Sequence, residues 1–272
     1  MTLCILYKDN ANNIHIASDS RLTMASNSFA DVGIKVISVP YRIYHPSSEG
    51  KTELAYEGEL GMCYAGSTLN ALILKESIME VLKNLQFIPD ETQITLENIA
   101  KIVFKAYKNI SSKITETAVG KNGIAEIYLA GKLFHDTTYK AFQFKTDQYN
   151  QHSCNEVLTN QNYILAGSGK TRAEKYLETI GSETTLLDLM NSLKETIEDK
   201  TIDDVDGAIQ YGKFIQNKFV TYGIAQFNQD SGDIHYFRSS LDLNSSEFTA
   251  KYGEFFLSYQ FIDPFDTFKN DF

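Results

Sequence analysis

Short apolar runs separated by turn residues open the chain. Residues 2–7 and 14–19 are β-rich, and Asp9-Asn10-Ala11-Asn12-Asn13 lies between them, so the pattern predicts a hairpin. From Val32 to Val39 both faces are apolar except at Lys35 and Ser38, as in a strand buried between layers, and Pro40 is expected to end it. His45 to Gly50 reads as a loop, the tip of an inserted hairpin. Gly61-Met62-Cys63-Tyr64-Ala65 predicts a buried strand broken by Gly66-Ser67. Leu69, Leu72, Ile73, Met79, Leu82 and Leu85 follow at helical spacing, with Ser67 or Thr68 as N-cap. A second helix is predicted after Thr95, with Ile99, Val103, Tyr107 and Ile110 on one face.

Strand patterns return at 124–130, 139–145 and 152–158. Tyr163-Ile164-Leu165-Ala166 is another buried strand, broken by Gly167-Ser168-Gly169 and followed by a helix to about Gly181. Leu186, Leu189, Met190, Leu193 and Ile197 mark one more helix, and a hairpin joins 219–227 to 233–238 through Asp230-Ser231-Gly232. The tail carries Phe255, Phe256, Tyr259, Phe261, Phe265, Phe268 and Phe272, too aromatic to sit free in water, and is expected to pack on the body or on a neighbouring subunit. Strand, Ala-Gly-Ser, helix occurs twice, at Ala65-Gly66-Ser67 and Ala166-Gly167-Ser168. Two antiparallel sheets, each covered by a helix pair, satisfy this order: an α+β, four-layer αββα sandwich.

Composition narrows the function. The 272 residues fit one large domain or two small ones, and no linker or low-complexity tract divides them. A net charge of −10 without a basic stripe points away from nucleic acid and from anionic membranes. No run approaches the roughly 18 apolar residues of a membrane helix, and the N-terminus has no basic, signal-like segment. Cys4, Cys63 and Cys154 are widely spaced with no CxxC, and the five histidines form no i, i+4 pair. The expectation is a cytoplasmic protein with no metal and no cofactor.

One candidate chemistry stands out. A threonine hydroxyl is a weak nucleophile until a base takes its proton, and a threonine's own N-terminal amine is one such base. A free α-amine has a pKa of roughly 7.7–8, which suits that work. Thr2 directly follows the initiator and is small enough to permit removal of Met1. Asp19 ends the second strand in Ile16-Ala17-Ser18-Asp19-Ser20-Arg21, and Lys35 sits among Ile34, Val36 and Ile37. A lysine in a buried run requires a carboxylate or a function, although an edge-strand lysine that guards against aggregation is the plainer reading of Lys35 alone. Asp19 is the carboxylate in reach by this reading.

Thr2 opening a hairpin, Ala17-Ser18-Asp19-Ser20-Arg21 and Gly33-Ile34-Lys35-Val36-Ile37 resemble the opening of proteasome β subunits and of the related bacterial ATP-dependent peptidase subunit. The separation of Asp19 and Lys35 (35 − 19 = 16) fits that family, as do Met62-Cys63-Tyr64-Ala65-Gly66-Ser67 and Leu165-Ala166-Gly167-Ser168-Gly169. The resemblance spans roughly 2–240 and implies an N-terminal-nucleophile (Ntn) hydrolase domain over 1–240, with an insertion near 40–58 and an extension over 241–272. It implies that Thr2 supplies nucleophile and amine, that Lys35 tunes the hydroxyl, and that Asp19 orients Lys35. The Gly66 N–H would serve the oxyanion, Ser168 would bond near the amine, and Arg21 would brace the turn. The opening Met-Thr-x-Cys is most similar to a bacterial proteasome-related branch known as Anbu. The implied function is a threonine peptidase or amidase acting on peptides or unfolded protein within a ring or helical homo-oligomer, with an ATP-dependent unfoldase as partner.

Two departures and three rivals accompany this reading. The stretch from Lys35 to Gly66 is longer than in the family, and the aspartate supporting the amine is not fixed among Asp203, Asp204 and Asp206. The first rival is a proteasome-like assembly protein without catalysis. The second is a nucleotide-binding protein using Lys170, since Gly167-Ser168-Gly169-Lys170-Thr171 ends like a P-loop, but Ile164 stands where the first glycine belongs. The third is a small-molecule amidase. Cys4, in mid-strand, reads as a small core residue rather than a nucleophile.

Overall fold

The computed structural model describes residues 2–25, 28–47, 53–88, 93–116, 123–181, 183–227, 234–238, 241–243, 251–252, 255–256 and 260–268. β1 (Cys4–Lys8) and β2 (Ile14–Ser18) form the predicted hairpin, and β3 (Leu22–Ala25) pairs with β4 (Ser28–Ala30). β5 (Ile37–Tyr44) and the long β6 (Leu54–Gly66) precede α1 (Thr68–Leu82), β7 (Leu85–Gln86) and α2 (Leu96–Ile114). β8 (Ala125–Gly131), β9 (Lys140–Thr146), β10 (His152–Val157) and β11 (Tyr163–Ala166) lead to α3 (Lys170–Ile180) and α4 (Leu186–Glu198). β12 (Gln210–Ile215), β13 (Lys218–Phe227), β14 (Ile234–Arg238) and β15 (Leu241–Leu243) come next. β16 (Lys251–Tyr252), β17 (Phe255–Phe256), β18 (Phe261–Ile262) and α5 (Pro264–Thr267) end the described chain.

The first sheet has the order β11-β1-β2-β12-β13-β14-β15, with β18 added in parallel to β13, and the second has the order β10-β9-β8-β6-β5-β7. Side-chain alternation along β1 shows how they stack. Leu3 and Ile5 join Leu177, Leu189, Met190 and Leu193 under α3 and α4, while Cys4 and Leu6 join Cys63, Ala65, Tyr128 and Ala130 from the second sheet. The far face of the second sheet packs Met62, Ile127, Leu129 and Phe144 on Leu74, Ile78, Val103 and Tyr107 of α1 and α2. Local chemistry supports the helices: Ser67, Thr95 and Thr185 cap α1, α2 and α4, the last through a capping box with Asp188. Phe265 and Phe268 of the tail pack on the first sheet's outer cluster, and the Phe268 ring lies 5.2 Å from that of Tyr211.

Three expectations are corrected. Pro40 does not end a strand; it lies inside β5, paired with Glu59 of β6. β5 meets β7 only at Ile43 and Tyr44, so Pro40 lies on a stretch of β5 outside that pairing, the edge position where a strand tolerates proline. Residues 31–36 are not strand, and Val32 and Ile34 are exposed, although Lys35, next to Ile34, is buried. On α1 the core face is Asn70, Ala71, Leu74, Ile78 and Leu82, whereas Leu69, Leu72 and Ile73 point outward. A polar residue hid that face: the buried Asn70 amide donates to the Gly123 carbonyl (2.7 Å). The predicted hairpin loop at 45–50 falls partly outside the described residues, and the turn at 230–232 lies wholly outside them.

Candidate active site

Thr2 enters β1, Asp19 follows the last residue of β2, and Lys35 lies two residues before β5. These distant positions converge because β1 and β2 pair with Cys4 opposite Ser18, which sets the start of one strand beside the end of the other. The Thr2 hydroxyl donates to Asp19 Oδ1 at 2.7 Å, and Lys35 Nζ donates both to Thr2 Oγ1 and to Asp19 Oδ2, the latter at 2.9 Å. The Leu3 and Arg21 amides donate to Asp19 Oδ1 (2.9 Å) and Oδ2 (3.0 Å), so this carboxylate receives four donors. Thr2, Asp19 and Lys35 are 1%, 0% and 1% exposed. A buried ion pair persists only when its remaining hydrogen-bonding capacity is filled, and this one meets that condition. The arrangement places a cation on a hydroxyl oxygen whose proton faces a carboxylate, which favours negative charge building on Oγ1.

The irregular segment carrying Lys35 is fastened from three sides. Arg21 grips Asp31 with Nε and Nη2 (2.7 and 2.9 Å), and reaches Asp206 Oδ2 (3.0 Å) and the Asp203 carbonyl (3.1 Å). Ser20 accepts the Gly33 amide on its carbonyl (2.8 Å), and its hydroxyl donates to the Asp31 carbonyl (3.2 Å). Gln210, 2% exposed at the start of β12, accepts the Lys35 and Val36 amides on Oε1 (2.8 and 3.1 Å) and donates through Nε2 to the Gly33 carbonyl. Arg21 therefore ties this segment to the loop before β12.

Hydrogen bonding to Arg21 holds the Asp31 carboxyl below its ordinary 3.8. A depressed carboxylate contributes stability above its unfolded value and loses it as pH falls through the folded one. Asp31→Asn is accordingly expected to be less stable than wild type near neutral pH, with the gap closing below pH 3.8. Thermal melts at neutral pH and at about pH 3 check this.

The other two sequence-derived positions are Gly66 and Ser168. Cys4 donates its thiol to the Tyr64 carbonyl at 2.9 Å, joining the sheets two residues after Thr2 and two before Gly66. Gly66 has φ +94°, ends β6 and is exposed at the entry to α1. Ser168 is exposed in the turn after β11, between Gly167 and Gly169. That turn lies on Thr2: the Gly169 amide donates to the Thr2 carbonyl (3.3 Å), and a Cβ on Gly167 would collide with that same oxygen. Gly167 also has φ +97°, so Gly167→Ala combines the roughly 1–2 kcal/mol penalty of a left-handed alanine with a backbone clash. A melting-temperature drop of at least about 4 °C is expected in a thermal scan. Of the three candidate aspartates, Asp206 binds Arg21 and Lys200 (3.3 Å) and Asp203 offers its carbonyl to Arg21. Lys170 pairs with Glu174 across an exposed helix turn (3.6 Å). Cys4 and Cys63 are buried, and burial pushes the Cys63 thiol well up. Among the described residues no group of three His, Cys, Asp or Glu side chains converges on a metal-sized site, and no helix is long and apolar enough to cross a membrane.

No family model matches the sequence, and no curated protein matches it. Solved structures do. Anbu (ancestral beta-subunit) from Yersinia bercovieri superposes with a TM-score of 0.56 at 12% identity, over 80% of this chain and 86% of that one. The fold is that of the Anbu structures. The helical assembly of the Anbu complex from Pseudomonas aeruginosa aligns with a TM-score of 0.55 at 12% identity, over 80% and 86% of the two chains. An Anbu (Gly-1) mutant from Hyphomicrobium sp. strain MC1 gives 0.54 at 13% identity, over 81% and 85%. The α+β fold is thus like that of the Anbu structures although about seven in eight aligned residues differ.

The sequence did not single out three side chains that bond the backbone around Thr2, Asp19 and Lys35. Gln210 lay in Ala208-Ile209-Gln210-Tyr211, where one amide inside an apolar run was the available signal. Ser18 donates to the Leu3 carbonyl (3.0 Å), and Ser20 accepts the Ala208 amide (2.8 Å). Neither serine differs in pattern from an ordinary strand-end residue.

Proposed function

We propose that this chain is an Ntn hydrolase of the four-layer αββα type, a threonine peptidase or amidase that works by acyl transfer. The observation that carries the reading is the Thr2 hydroxyl held between the Asp19 carboxylate and the Lys35 ammonium at the opening of β1. Removal of Met1 would convert the Thr2 nitrogen from an amide, which has no basic lone pair, into an amine able to accept a proton. Thr2 Oγ1 then attacks the substrate carbonyl, its proton passing to the amine. The Gly66 N–H would meet the oxyanion, a donor worth roughly 3–4 kcal/mol of barrier. On collapse the scissile C–N bond breaks, the leaving amine takes the proton, and water releases the acyl group. Ser168 would hydrogen-bond near the amine.

In this reading residues 1–240 are the catalytic domain and 241–272 an extension. Peptides or unfolded protein are the substrates, copies of the chain enclose the sites, and an ATP-dependent unfoldase feeds them. The assembly seen for the Pseudomonas aeruginosa Anbu complex supports the homo-oligomer. A second reading, an assembly protein without catalysis, is favoured by one observation: Thr2 is only 1% exposed in the chain that carries Met1. Intact mass and turnover of a fluorogenic peptide panel separate the two. The peptidase reading expects a chain lighter by one methionine together with turnover, and a retained initiator with no turnover selects the assembly protein.

A further inference from the structure

We infer that Gln210 is the positioning residue for Lys35: its side-chain amide bonds the backbone around Lys35 as a neighbouring strand would and fixes where the ammonium meets Thr2. The inference rests on the acyl-transfer reading. Residues 33–36 have the composition of a strand but are not assigned to one, and the backbone groups of the buried Gly33, Lys35 and Val36 require hydrogen bonds. Gln210 supplies them. Its Oε1 takes two consecutive amides, Lys35 and Val36, and its Nε2 serves the Gly33 carbonyl, so one planar group clasps the backbone on both sides of Ile34.

The clasp is rigid for a stated reason. Gln210 is 2% exposed and opens β12, where it pairs with Ser18, and Ser18 in turn pairs with Cys4. The same neighbouring strands therefore carry Thr2, Asp19 and the amide that holds Lys35. Arg21 and Ser20 fasten the segment at Asp31 and Gly33, but the amides of Lys35 itself and of Val36 are held by Gln210. A flexible four-carbon stem delivers a charge reproducibly only if its root is fixed.

The test is acylation of Thr2 by a β-lactone, followed by intact mass across pH. Oγ1 attacks the lactone carbonyl, the ring C–O bond opens, and the hydroxyl proton ends on the released ring oxygen, so nothing leaves. Gln210→Met removes both hydrogen-bonding ends at similar length. Gln210→Asn keeps the amide but withdraws it by one methylene, and decides the matter if the methionine variant does not fold. Gln210→Glu retains the acceptor facing Lys35 and Val36. A misplacement of order 1 Å predicts acylation slowed by on the order of 10²-fold in Gln210→Met and Gln210→Asn. A cation moved away also lets the amine's pKa rise, so the midpoint of the rising pH limb shifts upward. Gln210→Glu keeps the acceptor but loses the donor to the Gly33 carbonyl, and is expected to fall between wild type and Gln210→Met.

Wild-type acylation with unchanged rates in the folded Met or Asn variant overturns the inference, as does slowing without a midpoint shift. Wild type that is never acylated overturns the acyl-transfer reading itself, a result distinct from either.

Discussion

Thr2→Ala is expected to abolish peptide turnover, with a loss on the order of 10⁴–10⁶-fold, while the protein still folds. The hydroxyl is the only group at this position that both donates to Asp19 and accepts from Lys35, and alanine keeps neither contact. Removing it takes away the nucleophile and leaves no covalent route, so the loss reflects chemistry rather than binding. Thr2→Ser keeps the hydroxyl and the amine and is expected to retain measurable turnover. Steady-state kinetics on both variants, with circular dichroism as the control for folding, provide the comparison. Equal rates in wild type and Thr2→Ala would mean that the hydrolysis belongs to another site.

Lys35→Met carries the second large effect, this time on stability. It strips the cation from a carboxylate with 0% exposure and leaves Asp19 charged among two backbone amides and one hydroxyl. Breaking a buried pair by deleting one partner costs about 3–5 kcal/mol, which for a chain of this size lowers the melting temperature by on the order of 10 °C. Adding Asp19→Asn to Lys35→Met removes the orphaned charge and should recover part of that loss. The single Asp19→Asn change leaves Lys35 stranded and should be destabilising. The double-mutant cycle is therefore expected to show a coupling of at least about 2 kcal/mol between positions 19 and 35. Activity should not return in the double variant, because the cation next to Oγ1 is still missing. Additive effects in urea melts would contradict the buried pair.

The contrast between these two residues shows what the chain disclosed before its structure was known. Lys35 was legible as an anomaly, a charge in an apolar run, and the carboxylate that answers it was found by its place at a strand end. The segment around Lys35 was misread as a strand because composition reports burial and not ladder partners; Val32 and Ile34 face out while a side-chain amide does the work of a neighbour. Pro40 looked like a terminator for the same reason, since a sequence does not show which edge of a strand lies unpaired. The outward stripe on α1 misled because its core face begins with Asn70 and Ala71, which no hydrophobicity pattern marks. β12 went unread although it carries Gln210, and its partner strand lies nearly two hundred residues earlier. Pairings of that span follow from topology, and local pattern does not encode them.

One measurement bears on the nucleophile without assuming any substrate. The purified protein is incubated with a reactive β-lactone, digested, and the N-terminal peptide sequenced by mass spectrometry. The geometry around Thr2 predicts a peptide that begins at Thr2 and carries the opened lactone as an ester on Oγ1, with no adduct in Lys35→Met. An N-terminal peptide that keeps Met1 and stays unmodified, or an adduct found only elsewhere in the chain, would contradict it.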